Sequence, residues 1–253
     1  ARTVKITGTT AGAPCGVDLG ALKKIRTSTQ RRIHRQAVLA GGCGGWSAGA
    51  RVVPLVRTAV IVEWDDHIAR CCERNIDAPV LRLDLLQVDV VCQALQSHLP
   101  LHSVQVSSPC TDFSTSGKCV EGERAFVTVT ATMIAIRVGA PSIFYENVPR
   151  MLQSKAWALA AALLAAAGYV WTAAEVNAAD CGVPQNRRRV FVVAVKRTRS
   201  SGVSLARWRE QLLDLKTHTS APRTCVQDVL DQVVPFFFLA ARNASDPCIL
   251  SSK

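Results

Sequence analysis

The stretch Ala37-Val38-Leu39-Ala40-Gly41-Gly42-Cys43-Gly44-Gly45-Trp46-Ser47-Ala48-Gly49-Ala50 decides the architecture. Its first four residues form a short apolar run, as in a buried strand. The glycines that follow adopt backbone conformations closed to most residues and let a ligand approach the main chain closely. Trp46 to Ala50 then reads as the start of a helix. A strand, a glycine-rich turn and a helix, in that order, form the opening unit of an open α/β sheet, with the helix N-terminus facing whatever binds at the turn. A glycine cluster alone is a weak signal, because tight turns use the same residues.

Working downstream, the same alternation of short apolar runs and helix-like stretches continues, which predicts an α/β fold with a mainly parallel sheet. Ala59 to Val62 is a β-branched strand ending at Glu63-Trp64-Asp65. An acid at the end of the second strand can accept hydrogen bonds from ribose hydroxyls, and the adjacent Trp64 can flank an adenine. A helix over 66–76 and a third strand over 80–83 follow. The latter ends at Asp84, whose carboxylate can take a bond from an adenine amino group. After a helical pattern over 88–98, the strand Val104-Gln105-Val106 stops at Ser107-Ser108-Pro109 and leads into Cys110. Seen alone, a cysteine is more often a small buried hydrophobe than a nucleophile. A helix over 123–138 and a strand over 142–145 then lead to Glu146-Asn147-Val148-Pro149. In a parallel sheet the strand C-termini share one edge, so Cys110 and Glu146 are expected to face one pocket. A strand over 169–177, a loop over 180–189 that ends in three arginines, and the apolar strand Val190 to Val195 complete the pattern.

The 253 residues, 49% hydrophobic, are enough to bury a sizeable core as one domain. Thirty Lys and Arg against nineteen Asp and Glu give a net charge of +11, which favours a polyanionic partner, nucleic acid before a membrane surface. Eight basic residues and one acid within 1–36 suggest a basic arm able to lie along a phosphate backbone. The ten cysteines include no Cys-x-x-Cys pair and no Cys/His cluster at zinc-finger spacing, so no metal site is expected. No signal peptide is recognisable, and the thiols read as reduced in an intracellular protein, nuclear in a eukaryote or cytoplasmic in a bacterium. The uncharged stretch 156–174 is mostly alanine and is broken at Gly168-Tyr169-Val170-Trp171 into a helix and a strand, which argues against a membrane span.

From Val38 to Val195 the chain resembles the C5-cytosine methyltransferases. Pro109-Cys110-Thr111-Asp112-Phe113-Ser114 resembles their catalytic loop, Glu146-Asn147-Val148 their Glu-Asn-Val signature, and Gln185-Asn186-Arg187-Arg188-Arg189 their Gln-x-Arg-x-Arg segment. The glycine turn followed by Glu63-Trp64 is a weaker fourth match. The resemblance implies a Rossmann-like, S-adenosylmethionine-dependent methyltransferase fold. Cys110 corresponds to the nucleophile that adds to cytosine C6, Glu146 to the acid that binds and protonates N3, and Arg189 to the residue that binds O2. Gly42, Gly44, Gly45, Glu63, Trp64, Asp84 and Pro109 correspond to the methyl-donor site. Ser114, Asn147, Gln185 and Arg187 correspond to the substrate side. The implied partner is DNA, whose target base would be flipped out of the duplex, with RNA or a non-catalytic binding role as the alternatives.

The chain also departs from the family pattern. Val38 and Ala40 stand where an Asp-x-Phe motif is usual, so an aromatic contact to the donor is missing. After Val195 the closing Arg-Leu-Gln-type and Gly-Asn motifs are not found, and only Thr224 to Leu230 resembles the segment that usually precedes the target recognition region. The resulting division is a basic arm over 1–36, a catalytic domain over 37–195, and a tail or remnant of the recognition region over 196–253. A second chain or a missing segment is then expected to supply target recognition.

Overall fold

A computed structural model describes residues 33–110, 122–199 and 201–218. Among them lie seven strands: β1 (His34–Leu39), β2 (Val56–Val62), β3 (Val80–Leu81), β4 (Ser103–Val106), β5 (Ser142–Asn147), β6 (Tyr169–Asn177) and β7 (Arg188–Lys196). They form one sheet in the order β3-β2-β1-β4-β5-β7-β6. The pairs β1/β2, β1/β4, β2/β3 and β4/β5 are parallel, and β7 runs antiparallel to β5. The helices are α1 (Gly45–Ala50), α2 (Asp66–Asn75), α3 (Val88–Leu95), α4 (Val127–Arg137), α5 (Lys155–Ala166) and α6 (Ser201–His218). No helix among the described residues is long and apolar enough to cross a membrane.

Side chains alternate across a strand, so β1 and β2 each serve two cores. Ala37, Leu39, Val60, Val62, Val104, Val106, Ile143, Tyr145, Val190, Val192 and Ala194 share the larger core with α3, α4 and α5. On the opposite face Val38 and Ile61 pack with Cys72 and Ile76 at α2, and with Trp46 of α1. Both faces of the central strands are therefore covered, and the polar residues Gln36, Ser103 and Gln105 of β1 and β4 are buried along with the apolar ones. Trp157 of α5 ties the larger core together by meeting both Tyr145 and Trp171 edge-on, with ring centroids 5.2 and 5.1 Å away. Desolvation in this core pushes the Tyr145 phenol pKa up, and its hydroxyl lies 2.9 Å from that of Thr132.

Helix starts follow local chemistry. Asp65 caps α2 by accepting from the N–H groups of His67 and Ile68, both at 2.9 Å, and Ser154 caps α5 by accepting from Trp157 N–H at 3.0 Å. Several sequence-based boundaries shift. β1 begins at His34, inside the expected arm, whose residues 1–32 lie outside the described ones. The third strand pairs only at Val80 and Leu81, and the helix expected from Glu123 opens as a 3-10 turn before α4. Arg188 and Arg189, expected in a loop, are the first residues of β7. Of the expected tail, Ser201–His218 is helical and residues 219–253 lie outside the described ones.

The strand order positions the site. Succession runs outward in one direction through β1, β2 and β3, and in the other through β4 and β5. The reversal between β1 and β4 opens a crevice at their C-terminal ends, the usual ligand position in open α/β sheets. The glycine turn leaves β1 there, and the cysteine loop leaves β4 beside it.

Candidate functional site

A pocket of about 460 Å³ opens at this crevice, and its walls include Ala40, Gly42, Glu63, Trp64, Asp84, Ser107, Pro109 and Arg124. Five of the seven expected donor-site residues are among them. Apolar wall comes from Val62, Ile68, Leu83, Leu85 and Val127. Glu63 is only 5% exposed, and its carboxylate is fixed by the main chain. Oε2 accepts from Gly42 N–H at 2.8 Å and Oε1 from Asp65 N–H at 3.1 Å. Asp84 is held in the same way, with Oδ1 accepting from Leu86 N–H at 2.9 Å. A carboxylate offers about four acceptor positions, so both retain capacity towards hydroxyl or amino groups in the pocket.

The glycines divide by role. Gly42 has φ +56° and open space where a side chain would stand, so its requirement is conformational. Gly44 has φ +90°, and a Cβ there would lie 2.4 Å from Ile76 Cγ1. It lets α1 and α2 close together, and neither it nor Gly45 is part of the pocket wall. Gly41, not among the expected residues, is needed for a close approach to β2: its Cβ would meet Ile61 Cγ2 at 2.2 Å. Ala40 takes φ +55° without being glycine, a strained conformation of a kind that collects at binding sites.

The cysteine loop is anchored on both sides. Ser108 Oγ lies 2.7 Å from Thr128 Oγ1 of α4. Asn147, 2% exposed, donates from its amide to the Ser108 carbonyl at 2.9 Å and accepts from Val148 N–H at 2.8 Å. Its side chain thus holds the backbone that leads to Cys110, a half-buried thiol. Glu146 and Arg189 meet across β5 and β7, with Arg189 Nε 3.1 Å from Glu146 Oε1 and both side chains largely covered. The antiparallel direction of β7 makes this possible, since it brings the N-terminal residues of that strand to the edge where β4 and β5 end. Ser107 Oγ donates to the other carboxylate oxygen, Oε2, at 3.3 Å.

The remaining candidates fall elsewhere. Ser114 lies outside the described residues. Gln185 and Arg187 belong to the turn Asn177–Arg187, which groups apart from the compact unit containing the sheet. Within that turn, Asn177 Oδ1 accepts from the N–H groups of Ala179 and Arg187, Gly182 takes φ +78°, and both candidates are exposed. Two site residues escaped sequence reasoning. Ser107 looked like a strand terminator, and Arg124 carried no motif. Its guanidinium lies 5.6 Å above the Trp64 ring at the pocket mouth.

Comparison with known proteins identifies the family. The model of the C-5 cytosine-specific DNA methylase family matches residues 36–234. Type II methyltransferase M.HgiDI of Herpetosiphon aurantiacus is 33% identical over 156 residues, 61% of this chain and 50% of that protein. M.HgiGI of the same organism is 31% identical over 118 residues, 46% of this chain and 92% of its own. Among solved structures, the Entamoeba histolytica methyltransferase EhMeth aligns with a TM-score of 0.57 at 18% identity, over 67% of this chain and 54% of that one. A putative DNA modification methyltransferase from an E. coli prophage aligns at 0.54 and 20%, over 64% and 46%. The chain spans about half the length of M.HgiDI and of M.HindV from Haemophilus influenzae. The structural likenesses identify the fold as the Rossmann-like one of methyltransferases. With the family model matching most of its length, the chain belongs to the C-5 cytosine-specific DNA methylase family.

Proposed function

We propose that the chain carries the chemistry for methylating C5 of cytosine in DNA, with S-adenosylmethionine as the donor. The observation that carries this reading is the Glu146 carboxylate, held between Arg189 and Ser107 beside the cysteine loop and next to the pocket. The pocket suits the donor's adenosine: apolar walls and Trp64 for the base, Glu63 for the ribose diol, and Asp84 for the adenine amino group. When bound, S-adenosylmethionine supplies an electrophilic methyl group on sulfur.

The protein's part begins with the base. Cytosine C5 is a poor nucleophile until a thiolate adds at C6, and Cys110 is the thiol on the loop that leaves β4. Glu146 binds at N3 and delivers a proton there, which draws charge away from C6 and assists the addition. Arg189 binds the base O2 and keeps the Glu146 carboxylate oriented. Asn147 fixes the Ser108 carbonyl and so the course of the loop that carries the thiol. The C6 face is inaccessible in a stacked duplex, so the target base is flipped out. The net positive charge supplies phosphate contacts, and DNA affinity falls as salt rises.

The test is incubation of the protein with a duplex bearing 5-fluorocytosine, together with S-adenosylmethionine. After methyl transfer a base must remove the C5 proton so that the C5–C6 double bond re-forms and expels the thiolate; fluorine at C5 cannot be removed in this way, and the cysteine–C6 bond stays in place. A covalent adduct is expected with the wild-type chain and none with Cys110→Ala, whose melting temperature stays unchanged. A chain that binds donor and DNA but forms no adduct is a binding module instead. An RNA duplex in a parallel arm reports substrate class, and a faster adduct there overturns the DNA assignment.

A further inference from the structure

We infer that Ser107 is a positioning residue for Glu146, and that the buried amide of Gln105 sets the direction of its hydroxyl proton. The inference rests on the methyltransfer reading above and extends it to two residues outside the motifs that carried it. Gln105 and Phe144 are partners in the β4/β5 register, so Ser107 and Glu146 occupy the next positions on the same face. Continuing across the sheet, Glu146 is opposite Phe191, and Arg189, two residues earlier in β7, shares that face. Gln105, Ser107, Glu146 and Arg189 therefore form a row across three neighbouring strands.

Polarity within the row follows from the donors available. Gln105 is 0% exposed and donates from Nε2 to Ser107 Oγ. With that lone pair engaged, the serine proton points away from Gln105, and Glu146 Oε2 accepts it at 3.3 Å. Arg189 occupies the opposite carboxylate oxygen. The two donors thus fix both the rotation and the position of the carboxylate before a base arrives. Ser107 also lines the pocket, and its N–H donates to the Leu39 carbonyl at 3.2 Å, so the residue that aims the acid stands in the wall of the donor site. A buried glutamine in the middle of a parallel strand is costly unless hydrogen-bonded, and its Oε1 has no partner among the described residues. The Ser107 bond is the contact that this residue makes with its amide nitrogen.

The experiment uses the fluorocytosine duplex with wild type, Ser107→Ala, Ser107→Thr and Gln105→Leu, and measures adduct rate, donor Kd and melting temperature for each. Loss of a hydrogen bond to a charged group predicts about a tenfold slower adduct rate in Ser107→Ala. Donor Kd is expected to stay within about twofold, because the Ser107 hydroxyl is engaged by Gln105 and Glu146. Ser107→Thr restores the rate, and Gln105→Leu slows it less than Ser107→Ala does. A Ser107→Ala rate within about twofold of wild type overturns the inference alone. Equal losses in rate and donor affinity, or a threonine variant as slow as alanine, also overturn it by showing a packing role. No adduct with wild type overturns the methyltransfer reading and this inference with it.

Discussion

The carboxylates on the two sides of the crevice are held by different means. On the β1–β3 side, Glu63 and Asp84 are aimed by backbone N–H groups of Gly42, Asp65 and Leu86. On the β4–β5–β7 side, Glu146 is aimed by side chains, the hydroxyl of Ser107 and the guanidinium of Arg189. Backbone donors are in place once the turn forms and cannot be removed by a point substitution at the donor residue, short of proline. Side-chain donors arrive from separate strands and depend on the register of each. The pocket proposed for the donor is thus the tolerant half of the site, while the proposed base side is set by a few named atoms.

The largest effect expected from breaking this contrast is at Arg189. Arg189→Ala leaves Glu146 with one donor and removes the proposed O2 contact. Adduct formation is predicted to slow by about 100-fold, the upper part of the range for a charged hydrogen bond. Isothermal titration with the donor should give an unchanged Kd, and a parallel fall in donor affinity would erase the distinction between the halves.

A smaller effect is expected at Glu63. Glu63→Gln keeps one acceptor but turns an amide NH₂ towards a backbone N–H, so the turn at Gly42 or the ribose contact is lost. Donor affinity should fall by about tenfold, while the adduct rate at saturating donor is preserved. A rate that stays low at saturation would mean that the two halves are coupled through the Ser107 wall.

The smallest effect is a control at the N-terminal edge of the same sheet, away from both carboxylate sets. His34 lies 2.8 Å from Ser103 Oγ, with its ring 5.4 Å from that of His102. Burial first, and the charge of His102 second, lower the His34 pKa below the ordinary imidazole value. The folded state therefore resists protonation more than the unfolded chain does. Its contribution to stability is full above the unfolded-state value of about 6.5 and is lost as pH falls from there through the folded value. Denaturant melts should show a modest stability loss over that window, absent in His34→Gln, with donor binding at pH 7.5 equal in both.

Much of the fold was legible because strands and glycine turns have local signatures. Val60 to Val62 are buried as their apolar run required, and so are Val104 and Val106 on either side of Gln105. Glu63, Trp64, Asp84 and Pro109 all stand in the wall of one pocket. The three arginines were harder. Reading them as a loop missed that Arg188 and Arg189 start β7, since two charged residues interrupt an apolar pattern wherever they stand. Arg124 follows the cysteine loop in sequence, and nothing local indicates that it reaches Trp64.

Sequence alone determined the alternation of strand and helix, the glycine turn after the first strand, and the residue types at the strand ends, because each depends on neighbours a few positions away. Tertiary structure decided which of those ends meet. The antiparallel course of β7 brings Arg189 to Glu146, and the β4/β5 register sets Ser107 beside the same carboxylate. Strand order and direction arise from packing across the whole sheet, which no stretch of a dozen residues encodes. The glycine turn that opened the fold likewise acquired its separate roles, Gly42 as donor to Glu63 and Gly44 as the gap that Ile76 fills, only when α2 closed against it.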